Sequence, residues 1–196
     1  SFTDMQLYHQ AWVLSRMRVE ITELPKWGDT VTVQTWIYDL QGSRSIRALE
    51  LWCGEQKLAG SVTYWAVFNT KTRRAEALAL PHEHFEKYPD REATTESFKK
   101  VDLSRETELV CDYKTVLSDL DIVNHVNNVK YLEWCLDAVE PKPLLRQQLK
   151  SFDMNFLREL QLADTVQIVK GEQEKQTYFS INKDGKACFA LELNWK

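Results

Sequence analysis

The stretch Ser118-Asp119-Leu120-Asp121-Ile122-Val123-Asn124-His125-Val126-Asn127-Asn128-Val129-Lys130-Tyr131-Leu132-Glu133-Trp134-Cys135-Leu136-Asp137-Ala138-Val139-Glu140-Pro141 decides how the chain is read. Asp119, Asp121, Asn124, His125, Asn127 and Asn128 crowd its opening. Val126, Val129, Leu132, Cys135, Leu136 and Val139 follow at helical spacing, so a helix is expected from Asn124 to Val139. Lys130, Glu133 and Asp137 form one narrow polar stripe, and the remaining surface is apolar, which predicts a mostly buried helix. Asp121 and Asn124 are the expected caps, and Pro141 the stop.

A well-capped helix start accounts for one Asp or Asn. It leaves unexplained a carboxylate, a His and three Asn around the amino end of a buried helix. Such groups cost stability unless hydrogen-bonded, and the helix N–H groups there can hold developing negative charge. A functional site is therefore expected at this point.

Composition and charge limit the alternatives. The chain has 196 residues, seven Trp and 43 % hydrophobic residues, enough for one large or two small domains. A formal net charge of −4 gives no basic field for nucleic acid. No run reaches the ~18 apolar residues of a membrane helix, and no secretory signal is visible after Ser1. Cys53, Cys111, Cys135 and Cys188 are scattered, which suits reduced, mostly buried thiols better than disulfides or zinc ligands. His82 and His84 lack the partners a metal site would need.

Alternating apolar residues predict strands at 12–21, 30–38, 45–52 and 58–68, joined by short turns. The end of a helix is expected within residues 1–11. Residues 70–104 lose periodicity and read as a linker with one short helix. Further strands are expected at 106–116, 152–156, 165–170, 176–182 and 188–195.

The halves overlay. Asp29-Thr30-Val31 resembles Asp164-Thr165-Val166, 135 residues on (29 to 164), and the same offset pairs Met17, Val19 and Ile21 with Phe152, Met154 and Phe156. Three units follow: a first repeat over 1–76, a linker over 77–104 and a second repeat over 105–196. Position 1 then corresponds to position 136, so the first repeat is expected to lack its opening strand and most of its helix, with those residues upstream in the full protein.

Several motifs together resemble the acyl-acyl carrier protein thioesterases of plants and bacteria. The family carries Asp-x-Asn-x-His-Val-Asn-Asn-x-x-Tyr-x-x-Trp, and Asp121, His125, Val126, Asn127, Asn128, Tyr131 and Trp134 match it. Val123 stands at the family's first Asn, with Asn124 shifted by one. Trp12-Val13-Leu14-Ser15-Arg16-Met17, Pro25-Lys26-Trp27-Gly28-Asp29-Thr30-Val31 and Asn69-x-x-Thr72-Arg73-Arg74 resemble further family segments.

The resemblance implies an α+β tandem hotdog fold, in which a bent antiparallel sheet wraps a long helix twice. It implies hydrolysis of fatty acyl-carrier protein thioesters, ending fatty acid synthesis, with no cofactor and no metal. Asp121 would be general base or nucleophile, and His125 would orient water or protonate the leaving thiolate. Asn124 or Asn127 would hold the water or the carbonyl. Glu159 matches the family's catalytic Glu, and Leu160 replaces the Cys beside it, so no cysteine nucleophile exists there. The shift at Val123 suggests that Asn124 caps the helix and Asn127 or water supplies the missing amide.

Trp36, Trp65, Phe68 and Asn128 are the substrate-binding candidates. Arg73, Arg74 and Lys130, with Lys99 and Lys100, are the candidates for an acidic carrier protein. A homodimer is a candidate assembly. The location implied is the cytoplasm of a bacterium or the plastid stroma of a plant. An acyl-CoA thioesterase of the same fold and a non-catalytic acyl-binding module are the alternatives.

Overall fold

A computed structural model describes residues 2–196. The chain divides into two compact units, one reaching Phe98 and the other running from Lys99 to Lys196. The stretch 77–104, read from the sequence as a linker, is thus shared between them. Among the described residues it holds turns and extended chain, without the expected short helix.

In the first unit a short helix, α1 (Phe2–Leu7), precedes β1 (Gln10–Ile21), β2 (Thr32–Gln41), β3 (Arg44–Cys53), β4 (Gln56–Asn69) and the two-residue β5 (Arg74–Ala75). The sheet order is β2-β3-β4-β1, all antiparallel, with β5 beside β4. The strands lie where period-two alternation of apolar residues predicts them, but in β1 the buried residues are Gln10, Leu14 and Arg18. Residues 91–98 cover one face. Trp36, Ala48 and Ala93 form a buried cluster, and Lys57 Nζ donates to the Ala93 carbonyl at 2.7 Å. Phe98 lies 5.5 Å from the Tyr64 ring. At Gly60 the backbone of the covering segment comes so close that a Cβ would stand 1.8 Å from the Ala93 oxygen.

The second unit holds β6 (Glu108–Lys114), α2 (Asn128–Leu136), α3 (Pro141–Leu145), β7 (Leu149–Phe156), β8 (Thr165–Gln173), β9 (Gln176–Lys183) and β10 (Lys186–Trp195). Its order is β7-β10-β9-β8-β6, again antiparallel. Strands β8-β9-β10-β7 thus repeat the order β2-β3-β4-β1, and the ends of β1 and β7 keep the 135-residue offset (21 to 156). Residues 99–106 lie against this sheet. The Val101 amide donates to Asn155 Oδ1 at 2.9 Å. The fully buried Glu192 takes Lys99 at 2.5 Å and Arg105 at 3.0 Å, and Tyr178 donates to the Glu106 carbonyl.

Phe179, Ile181, Phe189, Leu191 and Leu193 are completely enclosed, each contributing about 2 kcal/mol of apolar burial. Helix α2 sets Tyr131 against Phe156 and Phe189 and Trp134 against Tyr113 of β6. The helix is shorter than expected: it spans 128–136, not 124–139. Val129, counted with the apolar stripe, is 57 % exposed. Pro141 opens α3 instead of only ending its predecessor, because a proline fits the first helical position.

Candidate active site

After β6 the chain makes a 3-10 turn, Leu117–Asp119. It then closes a small loop whose ends, Leu120 and Val126, form an antiparallel bridge. Asp121 organises that loop. Its Oδ1 accepts the amides of Val123 (2.9 Å) and His125 (3.2 Å), the bonding that favours Asp at a turn's first position. Its own amide donates to the His125 carbonyl at 2.8 Å. Asn124 sits at φ +63°, in the left-handed region an Asn tolerates better than most residues.

This corrects the capping assignment. Asn124 is exposed and lies outside the helix, and the cap is Asn127, whose Oδ1 accepts the Val129 amide at 3.0 Å. Too many capping residues precede α2 for spacing alone to choose among them; the left-handed turn at Asn124 places the helix start three residues later.

Asp119, given no role by the sequence reading, is the buried anchor of the loop. It is 3 % exposed, and its Oδ2 accepts the Val116 amide at 2.8 Å and the Tyr113 hydroxyl at 2.9 Å. Its carbonyl accepts the Asn127 amide. Burial first, then the adjacent Asp119 carboxylate, pushes the Tyr113 phenol up. No spacing rule marked it, since residues two apart share a face in extended chain.

Glu159 comes to His125 from the loop after β7. His125 Nδ1 and Glu159 Oε1 lie 3.6 Å apart, each side chain about one-third exposed. That is an ion-pair distance and longer than a hydrogen bond, with room to tighten around a substrate. The Glu159 loop is fixed at Leu160, whose amide donates to the Tyr131 hydroxyl at 3.1 Å and whose carbonyl accepts the Val126 amide at 2.9 Å. The Leu160 side chain is fully buried, so the position at which the resembled family has Cys is a core position here. Burial likewise pushes the Cys135 thiol up. Cys188 is buried, whereas Cys53 is half-buried and Cys111 exposed.

Asn128 is exposed at the first position of α2. Trp36, Trp65 and Phe68 belong to the first unit. Trp36 is packed under residues 91–93, its Nε1 donating to the Arg91 carbonyl at 3.0 Å and the Arg91 guanidinium 3.8 Å above its ring. It is thereby committed to the covering segment. Trp65 donates to Thr63 Oγ1, and Phe68 lies beneath Arg73 at 5.2 Å. Arg74 and Lys100 are exposed. Lys130 pairs with Glu133 at 2.7 Å, a carboxylate that holds the ammonium above the ordinary lysine range. His82 bonds the Leu80 carbonyl, and the His84 ring packs tilted against Phe85. No helix is long and apolar enough to cross a membrane among the described residues.

Antiparallel sheet of one strand order in each unit, with few helices among the described residues, is a hotdog-like architecture. Residues 2–88 match the acyl-ACP thioesterase N-terminal domain and residues 103–196 its C-terminal domain. The chain belongs to the acyl-ACP thioesterase family.

Relatives include the chloroplastic oleoyl-acyl carrier protein thioesterase 1 of Arabidopsis thaliana, 29 % identical over 84 % of this chain and 49 % of that protein. The chloroplastic palmitoyl-acyl carrier protein thioesterase of Gossypium hirsutum is 32 % identical over 87 % of this chain and 43 % of its own length. The chain thus spans about half the length of these relatives. Among solved structures, an acyl-ACP thioesterase from Bacteroides thetaiotaomicron VPI-5482 superposes with a TM-score of 0.89 at 21 % identity, covering 100 % of this chain and 81 % of that one. The 12:0-ACP thioesterase of Umbellularia californica gives 0.82 at 21 % identity, covering 98 % and 78 %. At such identity the likeness is one of fold.

Proposed function

We propose that this protein hydrolyses the thioester of a fatty acyl-acyl carrier protein and releases the free fatty acid. The observation that carries this reading is the convergence of His125 and Glu159 beside a loop ordered by Asp121. Asp121 Oδ1 is occupied by two amides, which leaves Oδ2 to draw a proton from the attacking water. With Nδ1 turned to Glu159, His125 presents Nε2 to the leaving thiolate, which it protonates. The Asn128 amide, first of α2, lies where a helix start stabilises a developing oxyanion. Asn127 keeps that helix start in place. Arg74 and Lys100 are the exposed basic groups offered to an acidic carrier protein; Arg73 lies over the Phe68 ring, and Lys99 and Lys130 are paired with Glu192 and Glu133.

The test compares release of free thiol from acyl-carrier protein and from acyl-CoA at matched chain length. Faster turnover of the carrier-protein substrate supports the proposal. Preference for acyl-CoA replaces the carrier, and binding of either without turnover leaves only an acyl-binding module.

A further inference from the structure

We propose that the Tyr131 hydroxyl is a positioning group that sets Glu159 against His125 through the backbone of Leu160; this rests on the hydrolase reading above. The Leu160 amide, one bond beyond Glu159, meets Tyr131 Oη at 3.1 Å. The Leu160 carbonyl meets the amide of Val126, the neighbour of His125, at 2.9 Å. One residue therefore ties the two loops together, a single position away from each member of the facing pair.

The Glu159 loop is also held at its ends. The Leu157 and Arg158 amides share the Cys188 carbonyl. At the other end Thr115 Oγ1 bonds the Gln161 carbonyl, and Asp164 takes the Gln161 amide. Between these anchors the Tyr131 hydroxyl grips the loop backbone at Leu160.

Tyr131 is suited to that task. It is 2 % exposed, and its ring is locked by Phe156, edge-on at 5.9 Å, and by Phe189 at 5.3 Å and Trp134 at 5.6 Å. A ring so held carries its hydroxyl on a fixed arm rising from α2. A phenylalanine would fill the same space and leave the enclosed Leu160 amide without its acceptor, so the loop must shift to satisfy it. Displacing Glu159 by a fraction of an ångström is enough to spoil a proton-transfer geometry.

The experiment is a double-mutant comparison on the full chain. Tyr131→Phe is expected to lower kcat about ten- to hundredfold with KM unchanged. In a Glu159→Gln background the same substitution is expected to change kcat less than about twofold, because its effect passes through Glu159. A purely structural Tyr131 would lower stability and leave kcat per folded molecule alone, or lower kcat equally in both backgrounds; either result overturns the proposal. Should Tyr131→Phe not fold, 3,5-difluorotyrosine at 131 preserves the packing while weakening the acceptor oxygen, and the same non-additivity is required of it. Amide exchange separates this proposal from the hydrolase reading. If the parent hydrolyses nothing, faster exchange at Leu160 and Val126 together upon Tyr131→Phe still supports the tie, and an unchanged Val126 refutes it.

Discussion

Replacing Asp121 by Asn and by Ala divides its chemical task from its architectural one. Asn is nearly isosteric, and its amide oxygen can keep the Val123 and His125 amides that Oδ1 accepts at 2.9 and 3.2 Å. Hydrogen bonds to a neutral acceptor are weaker than those to a charged one by about 1 kcal/mol. Water reaches this half-buried loop, so the combined loss for Asn is about 1 kcal/mol. For a chain of this length that is a melting shift of roughly 2–4 °C. Ala removes both bonds and should cost about 2 kcal/mol, the equivalent of two ordinary hydrogen bonds. The rate behaves differently. Either substitution removes the carboxylate, and a lost general base lowers kcat about 10²–10⁴-fold. Melting curves and kcat measured on the same preparations give both quantities. A folded Asp121→Asn enzyme with near-parental kcat would remove Asp121 from the mechanism. Rates that fall only in step with stability across Asn and Ala would reduce it to a loop anchor.

Asn127→Ala should cost about 1 kcal/mol of stability, as for a lost cap. Asn124→Gly should be neutral within about 0.5 kcal/mol because glycine accepts the left-handed turn; thermal melts showing the reverse order would restore Asn124 as the cap. Alkylation should label the exposed Cys111, spare Cys135 and leave hydrolysis intact; complete inactivation of the parent but not of Cys135→Ala would reinstate a cysteine. The Asp164 carboxyl is opposed by burial, yet Lys183 at 2.6 Å and the Gln161 amide hold it below its ordinary 3.8. A depressed folded value contributes stability that is present above 3.8 and lost as pH falls through it. Acid unfolding should therefore be less steep below pH 3.8 in Asp164→Asn, and an unaltered profile would show that the pair contributes nothing.

The strands were legible because alternating apolar residues write a period of two into much of the sequence, although β7, β9 and β10 are buried over five or six consecutive residues, on both faces. The repeat was legible for the same reason: Met17, Val19 and Ile21 and their counterparts Phe152, Met154 and Phe156 occupy like strands. Asp121, His125 and Glu159 could be named from motif and resemblance, but the 3.6 Å approach of His125 to Glu159 depends on chain reversal through β7, which no local pattern encodes. Asn124 was misplaced because cap preference says nothing about a positive φ three residues earlier. Trp36 was proposed for substrate since an aromatic in a strand does not announce which face it takes; the Arg91 carbonyl decides that. Tyr131 acts on a backbone amide far along the chain, and Asp119 on the nearby Val116 amide and Tyr113 hydroxyl; neither kind of partner leaves a trace in composition.

The two-residue connections between successive strands have a kinetic consequence. β2–β3–β4 and β8–β9–β10 are meanders joined by short turns, the kind of contact that forms within microseconds. β1 reaches β4 at sequence separations of 38 to 59 (21 to 59, 10 to 69), and β6 reaches β8 at separations of 51 to 62 (114 to 165, 108 to 170). Closure of such loops must be met before their pairing gives any return. The Asp121 loop and α2 lie inside the second of these long closures. Folding should therefore nucleate in the meanders, and the segment from Asp119 to Tyr131 should order afterwards. Substitutions there would speed unfolding while leaving the folding rate nearly constant; a slowed folding limb for Asp119→Asn would place the loop in the nucleus instead.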